Sequence, residues 1–269
     1  MPFSNFKKII DKFPGIKYIT ICGYGEPLLT KNIFSMIKYA KSNNIYIRVA
    51  SNGTLIDRFV QDIIHSGLDE LIISIDSANS ETFERFKNGA NFDNIVRNIK
   101  LLKDFKKKIH YEKPILSCHS IITKDTIDDL KNTVRLCNDL DIKNLYLLSP
   151  LVYNKCIASQ IVDTYTFKKK LIEAKKLATS LEVKILLGGV QIEKDAPITK
   201  NTLNCNSSFY INFDGTVNPC CFNQFSLGNI FTDSIDDILN NEHYKHLRIL
   251  SESGECSNCV KDQKENILP

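Results

Sequence analysis

The sequence lacks two features that would direct the chain to a membrane or out of the cell. None of its apolar runs is long enough to cross a bilayer. It also does not open with a charged and then apolar leader. We therefore expect neither membrane anchoring nor secretion, and a reducing cytoplasm is the expected compartment.

Several common catalytic motifs are missing as well. The sequence contains no Gly-x-Ser-x-Gly elbow, no P-loop and no zincin motif. Histidine is scarce, with five residues in 269. His243 and His246 stand three apart in a predicted helix and could bind a metal, but an ordinary helix surface is the favoured interpretation.

Charge and cysteine content narrow the class of protein further. Lys and Arg outnumber Asp and Glu by 35 to 31, for a formal net charge of +4, but the lysines are scattered over predicted helical faces. This distribution does not favour nucleic-acid binding. Nine cysteines are many for a cytosolic chain of this length, and the number is odd. Metal or redox chemistry is therefore favoured over disulfides.

Most of the chain follows a strand-helix pattern. From Tyr18 to Ser149, short apolar runs alternate with amphipathic segments of helical period, and a further helix and strand extend the pattern to Gly189. This pattern predicts an α/β fold with a parallel sheet, flat or closed into a barrel. The period breaks at the segment VQIEKDAPITKNTLN. We therefore predict a core domain at residues 1–190 and a small cysteine-rich domain at 191–269.

Unusual turns follow three successive predicted strands. Ligands of parallel α/β folds bind where the carboxyl ends of the strands meet. Each turn alone is an ordinary one, but their joint occurrence favours a site suited to an amine and to ribose hydroxyls. The residues are Gly23, Gly25, Glu26 and Pro27 in the first turn, Ser51, Asn52 and Gly53 in the second, and Ser74, Asp76 and Ser77 in the third.

The C-terminal region changes character. The alternating stretch FYINFDGTVNPCC predicts a hairpin with Asp214-Gly215 as its turn. The stretch SIDDILNNEHYKHLRILS predicts one helix that begins at Ser234. We therefore expect the cysteines of this region to lie on a hairpin and on a terminal loop.

Four cysteines of this region could hold a metal group. Cys205, Cys220, Cys256 and Cys259 suit tetrahedral zinc or an iron-sulfur cluster. Zinc ribbons normally offer two Cys-x-x-Cys pairs, whereas this region has one, so a cluster is favoured over zinc. Cys221 adjoins Cys220 and leaves open which of the two is the ligand.

The motifs together resemble a known family. The stretches GYGEPLL, ASNGTLI and ISIDSANSETFERFKNG, with the cysteine-rich tail, are similar to radical S-adenosylmethionine (radical SAM) enzymes that carry a C-terminal SPASM domain. The resemblance implies a partial (β/α)6 TIM-like barrel. It also implies a 4Fe-4S cluster that reduces S-adenosylmethionine to methionine and a 5'-deoxyadenosyl radical, which abstracts a hydrogen from the substrate. In the tail it implies an auxiliary 4Fe-4S cluster.

The resemblance also implies roles for individual residues. The turn from Gly23 to Pro27 matches the family's Gly-Gly-Glu-Pro motif, which holds the methionine amino group, although Tyr24 departs from that motif. Asn52 matches a polar residue near the cofactor. Ser74 and Asp76 match residues that face the ribose or the carboxylate, and Lys87 stands where many members have an arginine for the cofactor carboxylate. The cluster ligands implied for the tail are Cys205, Cys220, Cys256 and Cys259.

One departure from the family outweighs the others. The CxxxCxxC loop after the first strand is absent, because the cysteines before residue 200 are widely spaced. The opening stretch MPFSNFKKIIDKF is predicted to be the first helix of the barrel. The barrel is therefore expected to lack its first strand, which would lie with its cysteine loop upstream of Met1, and the catalytic 4Fe-4S cluster is expected only with that segment.

Two functional hypotheses remain at this point. The favoured one is a radical SAM/SPASM enzyme that acts on a peptide or small-molecule substrate and takes electrons from a reductant such as flavodoxin or ferredoxin. The alternative is a truncated or degenerate, non-catalytic protein that binds an iron-sulfur cluster or zinc. Neither hypothesis includes a nucleic-acid or membrane partner.

Overall fold

The computed structural model describes residues 1–13, 15–150, 155–187, 209–220 and 225–252. The chain divides into two units. The larger comprises Ile16–Lys194, and the smaller comprises Met1–Gly15 together with Asp195–Pro269. The predicted division between residues 190 and 191 falls outside the described residues and stays a prediction.

The larger unit is built on a parallel sheet whose strands lie in chain order. Every neighbouring pair of strands is parallel, so each connection must cross over one face of the sheet. The predicted α/β fold with a parallel sheet is confirmed. The six strands are β1 (Tyr18–Ile21), β2 (Tyr46–Ser51), β3 (Glu70–Ser74), β4 (Ile115–Ile121), β5 (Asn144–Leu148) and β6 (Lys184–Leu187).

Amphipathic helices connect the strands. Several begin at a capping side chain: Asn79, Asn91 and Asp163 each accept a hydrogen bond from the backbone N–H three residues ahead. In the described part of the chain, no helix is long and apolar enough to cross a membrane. After α1 (Phe3–Lys12), the helices are α2 (Ile33–Ser42), α3 (Ile56–His65), α4 (Ser80–Phe86), α5 (Phe92–Lys108), α6 (Leu130–Asp139), α7 (Lys155–Ser159) and α8 (Thr164–Ser180).

The two faces of the sheet differ in chemistry. Because successive strand residues point to opposite faces, each strand contributes alternate residues to each face. One face is apolar and buried, and it carries Ile47, Val49, Leu71, Ile73, Leu116, Leu145 and Leu147. The other, which we call the polar face, carries Thr20, Tyr46, Arg48, Glu70, Ser74, Ser117, His119, Asn144 and Tyr146. A face with this composition is suited to contact a polar ligand.

The smaller unit contains the predicted hairpin. Its strands pair antiparallel around a turn at Asp214-Gly215, where Gly215 has a φ of +91°. A Cβ at this glycine would clash with the Phe231 ring, so both backbone and packing require glycine. The elements are β7 (Tyr210–Ile211), β8 (Thr216–Asn218), β9 (Gly228–Asn229), α9 (Ile235–Leu239) and α10 (Glu242–Glu252).

The first helix, α1, is part of the smaller unit. The predicted core domain at residues 1–190, with this helix as the first of the barrel, stays a prediction. Ile9 packs in a buried cluster with Val217, Ile230 and Tyr244. The Lys12 ammonium group donates to the Ile230 carbonyl at 2.5 Å. These contacts associate the helix with the hairpin.

The single helix predicted from Ser234 onward is wrong. Ser234 does cap a helix, because its Oγ accepts from the Asp237 N–H at 3.0 Å. That helix ends at Leu239, and a second one begins at Glu242. Asn241 separates them, because its side-chain oxygen accepts from the N–H groups of His243 and Tyr244 and so starts a new helix.

Candidate functional site

The Glu26 carboxylate joins the ends of β1 and β2. Its Oε1 accepts hydrogen bonds from Ser51 Oγ at 2.8 Å and from the Leu28 N–H at 3.1 Å. Its Oε2 accepts from the Asn52 N–H at 2.7 Å. Both oxygens are therefore engaged within the protein. The role of this side chain in the structure is to hold two strand-end turns together.

The glycines before Glu26 leave the backbone open. A Cβ added to Gly23 or Gly25 would meet no atom within 4 Å. Tyr24 between them is 99% exposed, so its ring does not fill this space. Backbone groups of the turn are thus accessible to a ligand on the side where side chains would otherwise stand.

The second turn has a backbone conformation that requires glycine at position 53. Gly53 has a φ of +80°, and a Cβ there would lie 2.9 Å from Ile95 Cγ2 and 3.1 Å from Ile73 Cγ2. Asn52 Oδ1 accepts from the Thr54 N–H at 2.9 Å and from its hydroxyl at 2.7 Å. The Asn52 side chain is exposed. Its amide nitrogen is therefore available at the end of the strand.

A buried asparagine supports this turn from the neighbouring helix. Asn98 of α5 is fully buried, and its Nδ2 donates to the carbonyls of Gly53 at 3.0 Å and Thr54 at 3.2 Å. Its Oδ1 makes no hydrogen bond to any residue that the structure describes. Sequence analysis missed Asn98, although an asparagine on the apolar face of Ile95, Ile99 and Leu102 is a detectable signal.

The third turn brings together two residues that the sequence analysis singled out separately. Asp76 is 7% exposed, and its Oδ1 accepts from the Ile121 N–H at 2.9 Å. Its Oδ2 lies 3.2 Å from the Lys87 ammonium nitrogen. Ser74 is half-buried and lies beside His119 in the strand register. The ion pair therefore lies at the carboxyl end of β3.

Asp129 holds the chain that leaves this turn. Its Oδ2 accepts from the Ser77 hydroxyl at 2.6 Å and from the N–H groups of Ala78 at 2.7 Å and Asn79 at 2.9 Å. Sequence analysis missed this residue as well. Its position in the segment TIDDL gave no signal, because its partners stand about fifty residues earlier.

A network of polar groups surrounds Glu70 on the polar face. Its Oε1 accepts from the hydroxyls of Ser117 at 2.5 Å and Tyr146 at 3.1 Å, and its Oε2 accepts from Tyr46 at 3.4 Å. Burial and the nearby Glu70 charge raise the pKa of Tyr46 to about 12 and also raise the pKa of Tyr146. Both phenols therefore stay protonated and serve as donors.

His119 is a neutral imidazole on the same face. Its ring meets Tyr146 edge to face, with centroids 5.3 Å apart. Burial, followed by the charges of Arg48 and Lys87, lowers the pKa of His119 to about 4. The ring is therefore uncharged at neutral pH and can donate and accept one hydrogen bond each.

The proposed metal ligands fall mostly outside the described residues. Cys205, Cys256 and Cys259 lie there, whereas Cys220 is buried at the end of the hairpin. Within the described ranges, no group of three or more His, Cys, Asp or Glu side chains could hold a metal ion. His243 is exposed, and its ring packs on Phe225 with centroids 4.0 Å apart.

Comparison with protein-family models yields two matches. A model described as the radical SAM superfamily matches residues 1–137, which is more than half of the 269 residues. A second model, SPASM, described as an iron-sulfur cluster-binding domain, matches residues 204–260. The second match includes the four cysteines proposed as ligands and also Cys221.

Two curated relatives align with nearly the whole chain. The tungsten-containing aldehyde ferredoxin oxidoreductase cofactor-modifying protein of Pyrococcus furiosus is 23% identical, over 96% of this chain and 79% of the relative. The AdoMet-dependent heme synthase of Nitratidesulfovibrio vulgaris is 24% identical, over 94% of this chain and 74% of the relative. These relatives are similar to the chain in sequence but differ from each other in what their names say they do.

The fold is also similar to that of a solved structure. SuiB of Streptococcus suis, bound to S-adenosylmethionine, superposes with a TM-score of 0.74 at 17% identity, over 92% of this chain and 61% of SuiB. Its complex with the precursor peptide SuiA superposes with a TM-score of 0.69. The chain thus spans about three fifths of the length of SuiB. The likeness confirms the predicted TIM-like arrangement of strands and helices.

Proposed function

The chain belongs to the radical SAM superfamily, and from this membership we propose that it binds S-adenosylmethionine at the ends of β1, β2 and β3. The observation that carries the proposal is the Glu26 carboxylate, which ties the first two turns together while the backbone at Gly23 and Gly25 stays open. Because these turns are already ordered, little conformational entropy is lost when a ligand binds there.

Each turn supplies a different kind of contact. The open backbone around Gly25 would accept hydrogen bonds from the methionine amino group. Lys87 would bind the cofactor carboxylate, and Asp76, which holds that lysine at 3.2 Å, would accept from the ribose hydroxyls. Asn52 would contribute its exposed amide. Ser74 precedes Asp76 by two residues and therefore lies on the same face of the sheet. The donors and acceptors of these turns therefore suit a zwitterion joined to a ribose.

The cofactor, rather than a side chain, supplies the reactive species in this proposal. When bound beside a reduced 4Fe-4S cluster, S-adenosylmethionine would supply a radical that removes a substrate hydrogen. The sequence contains no CxxxCxxC loop that would hold this cluster. The protein's own residues bind and orient the cofactor and bind the substrate.

The tail is proposed to hold one auxiliary 4Fe-4S cluster. Its ligands would be Cys205, Cys220, Cys256 and Cys259, and the iron-sulfur domain match over residues 204–260 supports this assignment. Flavodoxin or ferredoxin is the proposed electron donor, and the cytoplasm is the proposed compartment. A peptide or a small molecule is the proposed substrate, because SuiB was solved with a peptide whereas other relatives carry small-molecule names.

Calorimetry would test cofactor binding directly. We expect S-adenosylmethionine to bind the full chain, and Lys87→Gln to weaken binding roughly tenfold through loss of one charge-assisted contact. Lys100→Gln, on an exposed position of α5, is the matched control and should leave affinity unchanged. Equal affinity of the Lys87 variant and the wild type would refute the assigned cofactor contact.

Metal analysis would test the tail. After anaerobic reconstitution we expect about four irons and four sulfides per chain. Alanine at Cys205 or Cys259 should remove them. Zinc without iron would overturn the redox role of the tail and favour the non-catalytic alternative. A second result would also support the non-catalytic alternative. In that result, S-adenosylmethionine binds but is not cleaved even after a CxxxCxxC segment is supplied.

A further inference from the structure

The guanidinium of Arg48 is only partly engaged on the polar face. Its Nε donates to Thr20 Oγ1 at 2.6 Å. Its Nη1 lies 4.0 Å from Glu70 Oε2, beyond hydrogen-bond distance, and the side chain is 39% exposed. An arginine has five N–H donors. One donor of the terminal nitrogens interacts with the Tyr146 hydroxyl, which leaves three of the five donors without a hydrogen bond to a residue in the described part of the chain.

Glu70 does not form a bidentate ion pair with Arg48. Its side chain is 5% exposed and already accepts from the hydroxyls of Ser117, Tyr146 and Tyr46. These three donors satisfy the carboxylate without a bidentate contact to arginine. Arg48 therefore directs most of its hydrogen-bonding capacity towards the accessible part of the polar face.

His119 is a second group on this face with unused hydrogen-bonding capacity. Its ring contacts Tyr146, but neither ring nitrogen bonds to a described residue. The charges that act on its pKa, Arg48 and Lys87, are both cations, and they add to the effect of burial. Both cations therefore lie near the imidazole, Lys87 as the ion-pair partner of Asp76 and Arg48 beside Glu70, so a group bound by Arg48 would lie close to this ring.

These groups lie below the proposed cofactor turns, on the same face. Arg48 precedes Asn52 by four residues, which corresponds to about 13 Å along a strand. His119 is paired in register with both Ser74 and Tyr146, and Ser74 precedes Asp76 by two residues, about 7 Å. Arg48 is in register with Glu70 and His119 with Ser74, and Tyr146 lies between them, because its hydroxyl contacts Glu70 and its ring contacts His119.

We infer that Arg48 and His119 form a subsite that binds a carboxylate of the substrate. This inference rests on the proposed function, because it places the substrate next to the proposed cofactor turns. Arginine binds carboxylates through paired N–H groups, and a neutral histidine can donate one further hydrogen bond. A phosphate fits less well, because its second negative charge would approach the buried Glu70. The substrate class is therefore a carboxylate-bearing peptide or small acid.

Binding of simple carboxylates to the full chain tests the inference. The probes are N-acetyl-glutamate α-amide, with a side-chain carboxylate, N-acetyl-alanine, with a chain-terminal one, and the neutral N-acetyl-glutamine α-amide. The His119 imidazole signals in NMR spectra report occupancy. We expect at least one acid to shift them saturably and the neutral amide to leave them unchanged. The preferred acid distinguishes a side-chain from a terminal carboxylate.

Variants identify the residues responsible. Arg48→Gln should weaken binding of the preferred acid about fivefold or more, whereas Arg48→Lys should retain part of it. Arg58→Gln, exposed on α3, is the matched control. The inference is overturned if acid and amide bind equally, if inorganic phosphate binds more tightly than both acids, or if Arg48→Lys and Arg48→Gln match the wild type.

A parallel S-adenosylmethionine titration separates this inference from the proposed function. Cofactor binding without carboxylate binding would overturn only the subsite. Absence of cofactor binding would overturn the proposed function itself. If Arg48→Gln does not fold, as judged by circular dichroism, the comparison of acid with amide on the wild type and the Arg48→Lys variant still decides the outcome.

Discussion

Alanine at Gly53 should destabilise the protein far more than alanine at other glycines with the same backbone conformation. Gly53, Gly67 and Gly89 have φ values of +80°, +80° and +82°. An L-residue with such a φ costs roughly 1–2 kcal/mol. At Gly89 a new Cβ would meet nothing within 4 Å, so Gly89→Ala should cost only this backbone term.

The packing around Gly53 adds a second cost. Its Cβ would lie 2.9 Å from Ile95 Cγ2 and 3.1 Å from Ile73 Cγ2, both in a well-packed core. Overpacking of this kind costs typically about 1–3 kcal/mol, so Gly53→Ala should lose roughly 2–5 kcal/mol in total. Gly67→Ala should lie between the two, because its nearest atom, at 3.3 Å, belongs to the flexible Lys41 side chain.

Urea unfolding, followed by circular dichroism, measures these differences as shifts of the midpoint at constant slope. A double variant with Ile95→Ala removes the atom that the new methyl group would contact. The two changes should then show a favourable coupling of about 1 kcal/mol or more. The argument fails if Gly53→Ala costs no more than Gly89→Ala, or if the double variant shows no coupling.

Three further substitutions test the supports of the site. Glu26→Gln places an N–H₂ group where the carboxylate accepts from the Ser51 hydroxyl or the Asn52 N–H, and should cost about 1.5–3 kcal/mol in urea unfolding. The control Glu81→Gln, on an exposed position, should leave the free energy of unfolding unchanged. Equal losses of stability in the two variants would contradict the bridging role of Glu26. Asn98→Leu leaves the Gly53 and Thr54 carbonyls without their donor and should cost about 1–3 kcal/mol, whereas the exposed Asn138→Leu should change stability little. His119 has a folded pKa of about 4 against an ordinary 6.5, so the unfolded chain binds the proton more tightly and stability should fall as pH falls through this window. His119→Gln should reduce this pH dependence, while His65→Gln, on an exposed position, should keep it. An unchanged slope in the His119 variant would show that folding does not lower the pKa of His119.

The strands and the strand-end turns could be predicted because their signals are local. A segment of four to seven residues rich in apolar side chains marks each strand of the parallel sheet, and glycines mark the turns after β1 and β2. Of these glycines, Gly53 needs both its positive φ and the absence of a Cβ. The split between α9 and α10 was missed although its cause is also local. Asn241 can either continue a helix or cap the next one, and the capping bonds to His243 and Tyr244 decide the outcome.

The role of Glu26 could not be predicted from its motif. A carboxylate in a glycine-rich turn suggested a direct ligand contact, but its acceptors are occupied by donors from the next strand, 25 and 26 residues away. The match to the family singled out this turn, and its role in binding S-adenosylmethionine is a proposal. It did not reveal that the side chain positions the turn while the glycine backbone remains open to a ligand.

The polar face shows why register carries information that residue type alone does not. Sequence analysis singled out none of four residues whose long-range partners are 22 to 76 positions away, namely Arg48, Glu70, Asn98 and Asp129. Once the parallel register is known, Arg48 lies beside Glu70, and His119 lies between Ser74 and Tyr146. A buried carboxylate with three hydroxyl donors then leaves the neighbouring arginine partly unpaired. It is this unequal satisfaction of two adjacent charges, rather than either charge alone, that points to a carboxylate ligand.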